Sequence, residues 1–242
     1  MPLKFENEST DTSHVVGTTE EILDPSRCST EEAIRAARQR AGEDLSYDLQ
    51  IAQFLNTQWM SRRINMPVIE RGMEVLGAIG SPGRVFGVLR TALAQTDPEL
   101  RSKAALALGR NVDSIQVLEK LTIDEDSRVR ANTIEAVWGR KGPEVEALLR
   151  RALDDCHHRV VANAAYGLYL IDPARHVTQL EMLIQHADPA HRMAAAWLLR
   201  KIGDGQHLCL LKPLVRDPDP DVRKAAFRTL GELRGTAKAA SP

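Results

Sequence analysis

Apolar and small residues recur along the chain at the four-residue spacing of a helix face, in a pattern that repeats about every 31 residues. Five segments superpose, at 96–110, 124–140, 156–171, 187–203 and 218–233. Their shared anchor column holds Arg101, Arg130, Val161, Arg192 and Arg223, at intervals of 29, 31, 31 and 31 residues. A weaker copy at 68–80 places Arg71 thirty residues before Arg101. Such regularity predicts internal structural repeats.

Most repeats open on residues that favour the start of a helix. Three of them begin with an aspartate followed by a proline, as at Asp97 and Pro98. The carboxylate caps free N–H groups, and proline suits the first helical turn. Four glycines are expected to mark the ends of these helices, namely Gly109, Gly139, Gly203 and Gly231.

A second amphipathic helix is predicted ahead of each first helix. A leucine stands twelve residues before every anchor, at Leu89, Leu118, Leu149, Leu180 and Leu211. A hairpin of two short helices cannot bury its own apolar face, so neighbouring hairpins must stack. The sequence therefore predicts an all-α fold, an α-solenoid of stacked two-helix repeats of about 31 residues.

The repeated pattern D-P-x-x-R-x-x-A-A-x-x-L-G resembles the short HEAT-like repeats named after the phycobilisome bilin lyases. It occurs at 97–109, with a variant at 188–199 and the related D-P-D-V-R-K-A-A-F-R-T-L-G at 219–231, and the resemblance covers about residues 66–233. Chromophore lyases, metal hydroxylases, DNA glycosylases and plain scaffolds all contain such repeats. The resemblance therefore implies an architecture and leaves the function open.

The two ends of the chain lack the repeat. Ser29 and Glu32 have capping-box spacing and predict a helix that stops near Gly42, and a second helix is expected from Ser46 to about Arg63. This second helix should bury Ile51, Phe54 and Leu55. The predicted divisions are a flexible acidic arm at 1–27, capping helices at 28–65, the HEAT-like solenoid at 66–234 and a disordered tail at 235–242.

Composition narrows the classes of function. Aromatic residues make up only 4% of the chain, so alanine and leucine must fill closely packed helical interfaces. A net charge of -1 weighs against a dedicated nucleic-acid binder. Three scattered cysteines do not suggest a disulfide framework. With neither a signal peptide nor an apolar run of membrane-spanning length, a cytoplasmic protein is expected.

The central repeat departs from its neighbours. It carries Cys156, His157 and His158 where aspartate and proline are usual, and His186 and His191 are expected at the same edge. Such side chains can bind zinc, but their spacing is not that of a known ligand set, so surface histidines and no cofactor are predicted. Deoxyhypusine hydroxylases, which have similar repeats, hold two irons with paired His-Glu motifs. This chain has no His-Glu dipeptide, so we do not expect that activity.

Four of the ten aromatic residues fall on three consecutive first helices, at Trp138, Tyr166, Tyr169 and Trp197. Tyr166 and Trp197 share one repeat column, and Trp138 and Tyr169 share another. An exposed cluster of rings would form a surface for binding a partner. The alternative is that these rings pack between helices and fill space.

The second helices carry a series of charges of alternating sign, which we call the charged ladder. Each charge stands one residue after one of the five leucines that precede the anchors by twelve residues. The members of the ladder are Arg90, Glu119, Arg150, Glu181 and Lys212. These side chains either pair with one another along the stack or bind a charged partner segment on a concave face. The anchor arginines are expected to bridge to acidic groups at helix starts, such as Asp97 or Asp219.

The leading functional hypothesis is a non-catalytic scaffold or adaptor that binds a partner protein on its concave or aromatic face. The sequence contains neither a phosphate-binding loop nor a nucleophile elbow. Two alternatives stay open from the resemblance. One is a bilin-lyase-like protein that handles a tetrapyrrole, and the other is a HEAT-like DNA-binding protein or glycosylase.

Overall fold

A computed structural model describes residues 17–61, 64–79, 82–111, 115–203 and 209–239. These ranges contain fourteen α-helices and no β-strand, which confirms the all-α prediction. Contacts divide the chain into two compact units, 1–92 and 93–242. None of the helices in the described ranges is long and apolar enough to cross a membrane.

The first unit holds five helices, α1 to α5. They are α1 Thr19–Leu23, α2 Thr30–Glu43, α3 Tyr47–Trp59, α4 Met66–Ala78 and α5 Pro82–Leu93, which ends at the boundary with the second unit. Helices α1 to α4 pack on one another around the fully buried side chains of Ile22, Ile51, Leu55, Ile69 and Trp59.

The prediction of a flexible arm at 1–27 is wrong for its last part. Residues Thr19–Leu23 form α1, and the side chains of Ile22 and Leu23 are fully buried. Thr18 and Glu21 form a capping box, in which the Thr18 N–H donates to the Glu21 carboxylate at 2.8 Å. Glu20 and Glu21 lie in the first turn of α1, where acidic residues favour the start of a helix. The sequence prediction read the acidic residues of this segment only as a sign of disorder. Residues 1–16 lie outside the described ranges.

The two helices predicted at 28–65 are present with slightly different ends. Ser29 caps α2 through the expected box with Glu32. Helix α3 begins one residue after Ser46 and ends at Trp59. Ile51 and Leu55 are buried, whereas Phe54 is only half-buried. Their role as a cap for the repeats stays a prediction.

The second unit alternates the first and the second helices of the repeats. In order they are α6 Pro98–Asn111, α7 Ile115–Glu119, α8 Ser127–Glu135, α9 Pro143–Ala152, α10 His158–Ile171, α11 Pro173–Ile184, α12 Pro189–Ile202, α13 Leu211–Leu214 and α14 Pro220–Ala239. The first helices α6, α8, α10, α12 and α14 pack side by side as one layer. The second helices pack against them, as the predicted stack requires.

Small and apolar columns hold the first-helix layer together. Ala104, Ala164, Ala195 and Ala226 occupy one repeat column and are buried. The leucines of the second helices α7, α9, α11 and α13 are buried as well. Because the alanine side chain is small, it takes up little space between neighbouring helices. The first helices therefore approach closely and bury their apolar faces without large side chains.

One of the four glycines predicted to end helices does so, since Gly203 is the left-handed C-cap of α12 with φ of 67°. Gly139 also has a positive φ of 78°, but α8 already ends at Glu135, so Gly139 belongs to the turn that follows and the prediction is wrong for it. Gly109 and Gly231 lie inside α6 and α14, so the prediction is wrong for them. Gly109 is glycine for another reason, because a β-carbon there would overlap Ala136 on α8.

The tail predicted to be disordered at 235–242 is helical as far as Ala239. Its sequence after Gly235 contains alanine and lysine, which favour helix and allow α14 to continue. The prediction is therefore wrong for 235–239, and residues 240–242 lie outside the described ranges.

Candidate functional site

The anchor arginines connect successive repeats through one recurring network. The Nε and Nη2 groups of Arg130 donate to the two carboxylate oxygens of Asp155 at 2.7 and 2.9 Å. Its Nη1 group donates to the backbone carbonyls of Asp124 and Glu125 at 2.9 and 3.2 Å. Arg101 binds Asp124 and Arg192 binds Asp217 in the same two-pronged way. Each arginine therefore ties its own loop to the loop of the next repeat.

This geometry corrects the expected partners of the arginines. The predicted acceptors were acids at the start of the same helix, such as Asp97 or Asp219. The observed carboxylates lie in the following loop, 23 residues on from Arg101 and 25 residues on from Arg130 and Arg192. Stacking of the repeats brings these loops side by side, so the long side chain reaches the next repeat.

The network stabilises its carboxylates in their charged form. Burial opposes the charge on Asp155, but hydrogen bonds from Arg130 and from the His157 N–H outweigh it, so the pKa of Asp155 is lowered. The pKa of Asp124 is lowered by the same balance with Arg101 and the Asp126 N–H. Hydrogen bonds from Arg128 lower the pKa of Asp126 to about 2.

Acid is expected to destabilise the folded protein through these groups. An aspartate in the unfolded chain has a pKa of about 3.9. If its pKa is lower in the folded protein, the carboxylate stabilises the fold at every pH above about 3.9, and this stabilisation is lost as the pH falls from about 3.9 through the pKa of the folded state. For Asp126 that window runs from about 3.9 down to about 2. Urea midpoints measured from neutral pH into this window should fall steadily. Asp155→Asn should show a shallower fall, and an equally steep one would contradict the assignment.

The histidines of the central repeat come together at one edge, as predicted. The rings of His157 and His158 stack at 4.5 Å, and those of His186 and His191 stack at 3.8 Å. His158 and His191 lie 6.0 Å apart, centroid to centroid. Burial and the neighbouring His157 and His191 lower the pKa of His158.

Metal ligation is not evident at this edge. Cys156 is exposed, and its sulfur lies 4.0 Å from the guanidinium of Arg130. Within the part of the chain that the structure describes, no group of three or more His, Cys, Asp or Glu is placed to hold a metal ion. His176 and His207 are 31 residues apart, which predicts that they stack at the opposite edge, but the side chain of His176 and residue 207 lie outside this part.

The residues of the charged ladder lie at exposed or half-exposed positions of the second helices. The ion pairs that Glu119 and Arg150 form are with residues outside the ladder. Arg90 is exposed on α5 of the first unit. In the second unit, Glu119 accepts from Arg151 at 2.6 Å and Arg150 donates to Glu146 at 2.7 Å. Glu181 and Lys212 are exposed on α11 and α13. Pairing therefore involves neighbours on the same or adjacent helices rather than successive ladder members.

Three of the four predicted aromatic residues form one cluster of rings. Trp138 meets Tyr166 edge to face at 4.8 Å, and Trp197 lies 6.4 Å from each of these rings. All three are half-buried, and so is Tyr169 further along α10. Because α8 ends at Glu135, Trp138 lies in the turn that follows it rather than on the helical column it was predicted to share. Its Nε1–H donates to the Asn163 carbonyl at 2.9 Å and fixes the ring.

Sequence reasoning missed two residues that shape this cluster. The ammonium group of Lys201 lies 5.9 Å from the Trp138 ring and 5.7 Å from the Trp197 ring, within cation–π range. Asn163 is buried and donates to the Ala131 carbonyl at 2.9 Å, and Asn132 binds the Ser102 carbonyl in the same way one repeat earlier. These two asparagines share a repeat column, which was a signal in the sequence. Lys201 had no such signal.

Of the three rings, Trp197 lines a groove across the first-helix layer. One cavity of about 420 Å³ lies between α10 and α12 beside Trp197 and Met193. A second cavity of about 320 Å³ lies between α12 and α14 on the other side of the same two residues. We call this surface the aromatic groove. Its further lining residues include Glu135, His158, Arg159, Arg200, Asp221, Lys224 and Arg228.

Comparison with known proteins supports the repeat type. Residues 178–242 match the family model for HEAT repeats. The second unit stacks HEAT-type helical repeats. No curated protein matches the chain in sequence. Among solved structures, human deoxyhypusine hydroxylase in complex with glycerol is similar at a TM-score of 0.38 and 19% identity, covering 90% of this chain and 94% of that chain. A TM-score this low carries no argument about activity.

Proposed function

We propose that this protein is a non-catalytic scaffold that binds a segment of a partner protein in the aromatic groove. The observation that supports this proposal is Trp197, a half-buried ring that lines two open cavities and packs against the half-buried rings of Trp138 and Tyr166. Rings that merely filled space between helices would be buried. A tryptophan at the edge of a cavity supplies the kind of large contact that dominates protein interfaces. HEAT-type repeats suit this role because they present extended binding surfaces.

The charges around the groove indicate the chemistry of the partner. Arg200, Lys224 and Arg228 line its α12–α14 half together with the acidic Asp221. The ammonium group of Lys201 adds a positive charge near the rings of Trp138 and Trp197. Arg200 and Arg228 both pair with the single carboxylate of Glu232, at 3.4 and 3.2 Å. Two guanidinium groups sharing one carboxylate leave an excess of positive charge. A partner segment with an apolar anchor flanked by acidic residues fits this surface.

The aromatic groove is favoured over the charged ladder as the binding surface. Glu119 and Arg150 already have ion-pair partners within the fold, so a ligand would have to displace Arg151 or Glu146. In the groove, an apolar side chain of the partner can pack on the Trp197 ring without displacing an ion pair. The ladder of Arg90, Glu119, Arg150, Glu181 and Lys212 stays a prediction, and so does a likeness in function to the bilin lyases.

Replacing Trp197 with alanine is expected to weaken binding of the partner segment about 30-fold or more, since a central aromatic anchor contributes about 2 kcal/mol. Peptides would first be selected on the wild-type protein from a displayed random library. Their affinities would then be measured by anisotropy of a labelled peptide. Selected sequences should share an apolar residue beside aspartate or glutamate.

The matched control is Ile123→Ala, which removes an exposed apolar side chain away from the groove. This variant should bind the selected peptides as the wild type does. Equal binding by Trp197→Ala would overturn the groove as the site. Selective binding of DNA or of a tetrapyrrole in the same assay, in place of peptides, would favour one of the two alternative functions.

A further inference from the structure

One repeat lacks the anchor arginine, and its partner is missing as well. The anchor column holds Val161 where the other four aligned repeats hold arginine. In the neighbouring networks, the aspartate lies 25 residues after the arginine, as Asp155 follows Arg130. The residue at that distance from Val161 is His186. Its Nδ1 accepts from the Asp188 N–H at 3.0 Å, as the aspartates do from the residue two places on, so the loop keeps its turn without the carboxylate.

The missing guanidinium leaves a cavity of about 300 Å³. Leu153, Val161, Met182 and Leu183 form its apolar walls. At each of the other four anchors, the arginine Nη1 donates to the carbonyls five and six residues before it. The corresponding carbonyls here belong to Asp155 and Cys156. Among the described residues, neither carbonyl accepts a hydrogen bond, so two acceptors of the repeated network stand unused.

An additional carboxylate borders this cavity. Asp154 lines it and is exposed. The same repeat column holds no acid in the other repeats, where it contains Ala94, Ile123, Gln185 and Arg216. Asp155 also lines the cavity, but both of its carboxylate oxygens are already bound by Arg130. The repeat without an anchor arginine therefore has an additional exposed carboxylate, that of Asp154, at the edge of the cavity.

We infer that this cavity receives an arginine side chain from a partner polypeptide. Two backbone carbonyls and one carboxylate match the planar, multiply donating guanidinium better than they match a lysine ammonium. The apolar walls suit the methylene stem of the side chain. Four repeats of the chain place an arginine against the equivalent acceptors, so the fold itself shows which group belongs there.

This arginine pocket is separate from the aromatic groove. His158 lines the groove and His191 lines the pocket, and their rings lie 6.0 Å apart. The inference does not depend on the partner proposed for the groove. A single arginine gives weak affinity on its own, and we expect the rest of a partner interface to supply the remainder.

The test uses the peptide acetyl-Gly-Arg-Gly-amide and its citrulline counterpart, which keeps the shape and removes the charge. Titration into isotope-labelled protein, followed by amide chemical shifts, should show the arginine peptide perturbing residues around Asp154 and Val161. Citrulline should bind about tenfold more weakly or worse, because a charged donor is replaced by a neutral one. Equal binding of the two peptides would overturn the inference.

Two variants locate the effect. Val161→Arg supplies the missing side chain from within and should abolish binding of the peptide, while Asp154→Asn should weaken it severalfold. Glu144→Gln, which removes an exposed carboxylate from α9 outside the pocket, is the control and should bind normally. If Val161→Arg fails to fold, the affinities of Asp154→Asn and Glu144→Gln for the arginine peptide still test the site. Wild-type affinity of Asp154→Asn for this peptide would contradict it. Trp197→Ala should still bind the arginine peptide. The proposal for the groove and the proposal for the pocket can therefore be tested independently.

Discussion

Replacing Arg130 with alanine is expected to lower the free energy of unfolding by about 3 kcal/mol, because it leaves a largely buried carboxylate without its counter-charge. The side chains of Arg130 and Asp155 are only 13% and 12% exposed. Removing the guanidinium also deprives the carbonyls of Asp124 and Glu125 of a donor. Urea unfolding followed by far-ultraviolet circular dichroism measures the loss.

The control for this variant is Arg150→Ala. Arg150 also pairs with a carboxylate, that of Glu146, but its side chain is 42% exposed. A solvent-exposed pair on one helix contributes less than about 1 kcal/mol. A loss for Arg130→Ala no larger than that for Arg150→Ala would show that the network does not hold the repeats together.

Replacing Gly109 with alanine is expected to cost about 3 kcal/mol, at the upper end for overpacking, although alanine is the better helix former. The added methyl group would overlap both the side chain and the backbone of Ala136, so no flexible side chain can move aside. The helices α6 and α8 would have to separate where their columns of small residues bring them together. The melting temperature and the urea midpoint should both fall.

Gly231→Ala is the matched substitution with the opposite expected sign. Gly231 lies inside α14, and a β-carbon there would meet nothing within 4 Å. Alanine should therefore stabilise the helix by about 0.5–1 kcal/mol. Stabilisation by both substitutions would mean that α6 and α8 are not in close contact at Gly109.

Much of the fold could be predicted from the sequence, because repetition averages out local ambiguity. The leucine column recurs in all five aligned repeats and the alanine column in four of them, and the buried Ala164 and Leu149 are typical of these columns. The cap of α2 at Ser29 was readable because one short motif determines it. The helical start of 17–27 was missed because α1 has only five residues and carries no repeat.

The site was less predictable because its contacts run between repeats. The pairing of Trp197 with Tyr166 followed from their shared column, whereas the contact of Trp138 with Tyr166 depends on where α8 ends. The partner of Arg130 depends on how loops lie beside each other after stacking. The interval of 25 residues to Asp155, repeated from Arg192 to Asp217, was nevertheless present in the chain as a signal.

The arginine network also decides how this chain can be lengthened or shortened. Arg101, Arg130 and Arg192 each belong to one two-helix hairpin, and the carboxylate that each of them binds belongs to the loop of the next hairpin. Duplicating or deleting a hairpin keeps every pair only if the hairpins on both sides of the junction carry the two partners. The hairpin that contains Val161 and the loop that contains His186 lack them. A recombination event at this position would place the repeat that lacks the arginine before a loop whose aspartate would have no arginine to bind it. We therefore expect the central repeat and its successor to be inherited together.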